Sequence, residues 1–346
     1  MRSIKRIIYS TLLVLLAVTG YKVWNIYTKL YSSNIKLTNK ESVFVCIPTG
    51  SDFEAVKRIF IEKNLLVNSS SFEWAAEKQQ YVHNIKPGRY KITNGMNNRH
   101  LIALLKSGEQ TPVKLKFISV RDIEHFAHAI SSQIEVDSVQ LVSFLKNNDK
   151  LAPFGFTTST IIGMFVPNTY EMYWNTDIDA FMKRMNKEYT KFWNEKRIEQ
   201  LKILGLTQSD VITLASIVNE ESAMTDDYVN LAGVYINRLR KGMPLQADPT
   251  IKFALGDPSI KRILIKYLQV NSPYNTYLNK GLPPGPISMP SVKAIDAVLA
   301  YRGHKYLYFC AKADFSGYHV FAKTLQQHLQ NASEYQKALD RNRIYK

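Results

Sequence analysis

Two adjacent carboxylates, Glu220 and Glu221, close an almost wholly apolar run, a placement suited to acid–base chemistry. Val211, Leu214, Ala215, Ile217 and Val218 recur at helical spacing. Thr207 is the natural N-cap, with Asp210 three residues on completing a capping box. On a helix of 3.6 residues per turn, Glu220 follows Thr213 and Ser216 on the more polar side. Glu221 instead extends the stripe of Leu214, Ile217 and Val218. A carboxylate at the end of an apolar stripe is poorly solvated, so its pKa rises towards neutrality. A general acid working at pH 7 needs that shift. Read as pattern alone, the pair also fits an ordinary helix end in solvent.

Further polar residues follow. Residues 228–241 form a second helical pattern stopped by Gly242, with Asn237 and Arg238 near its end; capping and surface charge are their plain roles. Gln246 and Asp248 sit in a polar loop with turn chemistry. Residues 271–277 offer Ser272, Tyr274, Asn275, Thr276 and Tyr277, a mixture that binds sugars through hydrogen bonds and ring stacking but also makes ordinary loops. Residues 281–290 hold four prolines, a stiff extended segment able to wall a groove. His319 lies in one strand of a hairpin, 305–311 with 317–322 around residues 314–316, as a substrate contact or a core histidine.

In chain order, LASIVNEESA, GVYINRLRKGMPLQADPTIKFALG, NSPYNTY and GLPPGPISMPS resemble the successive signature blocks of the endolytic murein transglycosylase family (MltG/YceG-like). The resemblance runs with gaps from about residue 87 to the C-terminus. It implies that Glu221 is the catalytic glutamate. It also implies that Ser222, Asn237, Arg238, Gln246, Asp248, Ser272, Tyr274, Asn275, Thr276 and His319 belong to the substrate cleft. The chain departs from the pattern at three positions. Asn219 stands where the family often has a further glutamate, and Ile162 and Asn168 stand where acidic residues flank a glycine-to-tyrosine turn, here residues 163–170.

The elements that must position these residues fit a membrane-anchored α+β protein. Arg2, Lys5 and Arg6 precede an apolar run over residues 7–21, extended by Val23, Trp24, Ile26 and Tyr27 around Lys22. About 20 apolar residues span a bilayer as a helix. Lys22 can snorkel, and the aromatic residues suit the interface. The expected organisation is a cytoplasmic tail (1–6), a transmembrane anchor (7–27) and a polar linker (28–42), with the rest outside the cytoplasm, periplasmic in a diderm. A cleaved signal peptide is the rival, but no convincing A-x-A site follows the run. Residues 43–112 read as a strand, a helix opened by Ser51 and Glu54, a helix around 72–81, a strand near 85–92 and a helix ending at Gly108. They resemble a LysM-like subdomain, for which glycan binding and simple spacing both stay open. Residues 113–346 then form a mixed α+β catalytic domain, with a strand at 113–117, helices at 121–132 and 138–147, and a long basic helix over 178–204. His125 and His128 lack a third metal ligand at familiar spacing.

The 346 residues hold 45 Lys+Arg against 29 Asp+Glu, a net charge of +16. Such a surface suits nucleic acid, anionic headgroups or an acidic polymer. The basic residues are spread along the chain and no nucleic-acid module is recognisable, so nucleic acid is not an expected partner. Cys46 and Cys310 both fall in strand-like runs, where two separate thiols are expected rather than a disulfide. The expected function is endolytic cleavage of the MurNAc-β-1,4-GlcNAc bond of nascent glycan, without cofactor, giving 1,6-anhydro-MurNAc ends. The family resemblance implies penicillin-binding synthases as partners. Two alternatives stand beside it: a muramidase using Asp248 as second carboxylate, and a non-catalytic wall-binding scaffold.

Overall fold

The computed structural model describes residues 2–257, 259–260, 262–301 and 303–342, with only the backbone of Arg2 and Ser3. The N-terminal apolar run is one helix, α1 (Arg2–Tyr31), long and apolar enough to cross a membrane. Contacts divide the chain into two units. The first runs to Leu115 and adds Gln133–Glu135 and Tyr170–Thr176; the second holds Lys116–Ser132, Val136–Thr169 and the chain from Asp177 on.

In the first unit β1 (Ser42–Ile47) is followed by helices α2 (Phe53–Glu62) and α3 (Ser69–Lys78), then β2 (Gly88–Thr93) and α4 (Asn98–Ser107). β1 and β2 pair antiparallel with Ser42 opposite Thr93 and Ile47 opposite Gly88. Val45, Ile47, Tyr90 and Ile92 point into a core with Val56, Phe60, Phe72 and Leu101. The helix after β1 is capped by Asp52, whose side chain accepts from Ala55 N–H, rather than by Ser51. Gly108, at φ +74°, ends α4 in the left-handed conformation that glycine adopts freely.

The expected polar linker is not a free tether. Ile35 and Leu37 are buried in the first unit's core. Asn34 donates to the Asn98 side chain (2.7 Å) and accepts from Asn68 N–H (2.7 Å). The end of α1 joins the same unit, with the Lys29 carbonyl accepting from Asn98 at 2.8 Å. Polar composition misled here because the asparagines satisfy buried backbone groups while alternate apolar residues fill the core.

β3 (Val113–Phe117) leads to α5 (Ile123–Ser131), α6 (Ser138–Leu145) and the single turn α7 (Asn148–Leu151), then to β4 (Asn168–Met172), which pairs with β3. The turn expected at residues 163–170 is thus a 3₁₀ turn over Ile161–Met164 running into a strand. The long basic helix is two helices, α8 (Ile178–Phe192) and α9 (Glu195–Leu204). Asn194 breaks them by capping α9 through Arg197 N–H. The remaining elements are α10 (Gln208–Glu221), α11 (Tyr228–Arg240), α12 (Asp248–Leu255), α13 (Val292–Leu299), β5 (Tyr308–Ala311), β6 (His319–Ala322) and α14 (Leu325–Arg341). β5 and β6 form the expected hairpin, Ala311 opposite His319. Cys46 and Cys310, in β1 and β5, are free thiols.

α10 is the centre of the second unit. Its residues 211–218 are all buried, and its apolar side chains share one core with α9, α11 and α13. The proline-rich segment packs into this core: Ile287, Ser288 and Met289 are buried, and Ile287 N–H donates to Ser216 Oγ at 3.0 Å.

Candidate active site

The site is built outward from the C-terminal turn of α10. Its N-terminus carries the full capping box, Thr207 accepting from Asp210 N–H and Asp210 accepting from Thr207 N–H. The helix is thereby fixed in register, and its apolar stripe carries Glu221 into the protein. Glu220, one step round the helix, is exposed and accepts from Ser288 Oγ at 3.0 Å.

Glu221 as a residue is partly buried, and its carboxyl group is surrounded by protein. Loss of hydration raises its pKa from 4.5 to about 7. Against that, Tyr235 on α11 donates its O–H to Oε2 at 3.1 Å and favours the ionised form. Asp248 raises the pKa further, while Lys252 and Arg238 lower it. A carboxyl group with such a pKa is partly protonated near neutrality.

Tyr235 is 1% exposed, and its own phenol is pushed well above its usual pKa by burial and by Glu221. It stays a donor at any working pH. Asp248, exposed at the start of α12, accepts a short hydrogen bond from Tyr277 O–H. Arg238, 8% exposed, is spent on the protein itself: Nε donates to Leu307 O (2.7 Å) and Nη1 to Leu245 O (2.8 Å). Burial lowers its pKa. It acts on Glu221 through its field while bracing the loop before α12.

The residues expected in a cleft divide into two groups. Glu221, Arg238, Gln246 and Asp248 gather, Gln246 Oε1 accepting from Arg238 at 3.3 Å. Gln246 is exposed and held at φ +53°, a conformation that costs a non-glycine residue ~1–3 kcal/mol and marks functional loops. Tyr274 is half-buried, its ring 4.6 Å from that of Phe253. The others make hydrogen bonds within the protein. Asn237 donates to His304 O and Tyr306 O and accepts from Tyr301 O–H. Asn275 donates to Leu268 O and Val270 O, and Thr276 Oγ1 accepts from Ala247 N–H. Ser222 caps α10 and accepts from Met224 N–H; Ser272 accepts from Tyr274 N–H. His319 faces Asp227, its Nδ1 3.0 Å from Oδ2. His125 pairs with Asp122. Among the described residues no three of His, Cys, Asp and Glu gather as a metal site.

Tyr235 and Lys252 escape a reading of the sequence. The available signal was a tyrosine on the buried face of a helix, since a buried phenol usually finds a partner. Beside Glu221, on the Glu220 face, lies a cavity of about 350 Å3 that both Glu220 and Lys252 line but Glu221 does not.

Fold and cleft together define an α+β protein with one tuned carboxylic acid, the equipment of acid–base chemistry. The YceG-like family matches residues 45–334, and the chain belongs to that family. It is 29% identical over 326 residues to the endolytic murein transglycosylase of Bacillus subtilis, spanning 90% of this chain and 89% of that protein. It is 26% identical over 335 residues to the endolytic murein transglycosylase of Streptococcus pneumoniae, spanning 87% of this chain but 60% of that longer protein. The crystal structure of a YceG-like protein from Listeria monocytogenes has a TM-score of 0.56 at 27% identity, covering 84% of this chain and 99% of that one.

Proposed function

We propose that this chain is an endolytic murein transglycosylase, a lyase that cuts peptidoglycan strands internally. The observation that carries the reading is Glu221, a carboxylic acid tuned to about pH 7 in a family whose relatives bear that name. Glu221 protonates the oxygen linking MurNAc C1 to GlcNAc as an oxocarbenium-like state develops. The resulting carboxylate, steadied by the Tyr235 hydroxyl, then takes the proton of the C6 hydroxyl as that oxygen closes on C1. A 1,6-anhydro-MurNAc end results. One glutamate serves as acid and then as base because the nucleophile comes from the substrate, whereas ordinary glycosidases need two carboxylates.

In this reading α1 is an uncleaved single-pass anchor, with the N-terminus cytoplasmic and both units outside. The substrate is nascent glycan, and the partners are penicillin-binding synthases. The strand–helix–helix–strand order of the first unit supports a LysM-like role, as a glycan contact or a spacer. One observation favours a muramidase as the second reading: Asp248 is near enough to Glu221 to raise its pKa, and a hydrolase would use it to activate water.

Replacing Glu221 tests the acid. Glu221→Gln keeps the shape and removes the proton donor, so turnover on purified glycan strands falls about 10²- to 10⁴-fold. Glu220→Gln costs far less on the same strands. Equal losses from the two variants, both folded, contradict the assignment.

A further inference from the structure

We propose that the cavity beside Glu220 is a subsite for a short zwitterionic peptide, the branch carried by the glycan, with its carboxylate held by Lys252 and Arg121 and its ammonium by Glu220. The inference rests on the transglycosylase reading, because only a peptidoglycan strand brings such a branch to Glu221.

Two cavities adjoin, of about 350 and 270 Å3, sharing Arg121, Asp122 and Phe253 in their walls. The larger falls within the ~300–1,000 Å3 of small-ligand sites. Its charges are of both signs. Glu220 is bonded to Ser288 alone, and neither Glu220 nor Lys252 makes an ion pair among the described residues. Arg121 pairs with its neighbour Asp122 at 3.2 Å but keeps 48% of its side chain exposed, leaving donors for a ligand. A neutral sugar offers such groups only hydroxyls, so unpaired charges of opposite sign in one cavity match a ligand with both. Phe253, 39% exposed and packed on Tyr274, is the shared apolar wall. Lys252 ties the cavity to the chemistry, since its charge also lowers the Glu221 pKa. Filling the cavity thus seats the strand with the scissile bond at Glu221.

The test compares the full-length protein on peptide-bearing strands and on the same strands stripped by an amidase, with the released peptide as a separate calorimetric probe. Wild type cleaves peptide-bearing strands about tenfold faster, and Glu220→Gln or Arg121→Gln brings the ratio towards one and weakens peptide binding about tenfold; loss of one charged hydrogen bond is of that size. A wild-type ratio near one, or variants that slow both strands alike, overturns the subsite while leaving the transglycosylase reading intact. Cleavage of neither strand refutes that reading instead. Calorimetry then decides the subsite alone: binding weakened about tenfold in Glu220→Gln upholds a peptide site, and no binding to wild type, or unchanged binding in the variant, overturns it.

Discussion

At the end of α10 two neighbouring glutamates differ by one step of helical rotation, about 100°. That step puts Glu220 in solvent beside Ser288 and Glu221 against Tyr235. The apolar stripe singled out Glu221 in the sequence, but Thr213 and Ser216 beneath Glu220 are buried as well. The difference therefore comes from what meets each carboxylate at the helix end, Ser288 for one and Tyr235 for the other. Tyr235 was not legible as a partner, because it reaches Glu221 only through the packing of α11 on α10. Its hydrogen bond favours the carboxylate form, so Tyr235→Phe moves the fall of kcat/KM with rising pH from near 7 to a higher pH. An unmoved or lowered limb contradicts that role. Glu221 also leaves a mark on stability. The folded chain keeps a proton that the unfolded chain releases between pH 4.5 and about 7, so stability from this residue falls as pH rises through that window. Glu221→Gln accordingly melts higher than wild type at pH 8 and not at pH 4. The gain is at most about 3 kcal/mol.

Elements matter here chiefly by what they hold still. The proline-rich segment was expected to wall a groove, and Ile287 does line the cavity, yet most of the segment is a buried brace for α10. Its tightest point is Gly285, where an added Cβ sits 2.1 Å from the Ser159 carbonyl oxygen. Backbone cannot yield there as a flexible side chain does. Gly285→Ala destabilises the fold by ~1–3 kcal/mol, read as a lower denaturant midpoint with unchanged m-value; an unchanged midpoint contradicts the packing. Caps account for other differences between expectation and structure. Asn194 splits an apparently continuous basic helix, and Asp52 displaces Ser51 as a cap. Hydrophobic periodicity continues across such breaks, so pattern alone runs two helices into one. Asn237, Asn275 and His319 carry the same lesson for side chains. Asn237 and Asn275 donate to backbone carbonyls and the Nδ1 of His319 faces Asp227, contacts that motif content does not reveal.

For the whole molecule, the sequence carried the N-terminal apolar helix and the α+β class, but not the seating of residues 34–37 in the first unit, which depends on asparagine contacts distant in sequence. On the proposed reading of α1 as an anchor, that docking keeps the first unit close to the bilayer. A periplasmic-type reporter fused after residue 346 is therefore active only outside the cytoplasm, and the mature protein retains residues 1–30. A soluble product beginning after Tyr27 contradicts the anchor. The activity itself is decided by what captures MurNAc C1. Capture by the tethered C6 hydroxyl has the entropic advantage of an intramolecular reaction. Capture by water leaves a reducing end one water heavier. Mass spectrometry of products from defined glycan strands separates the two: wild type gives mainly 1,6-anhydro ends, and Asp248→Asn leaves the product type unchanged. Mainly reducing ends from wild type, abolished by Asp248→Asn, would establish a muramidase instead.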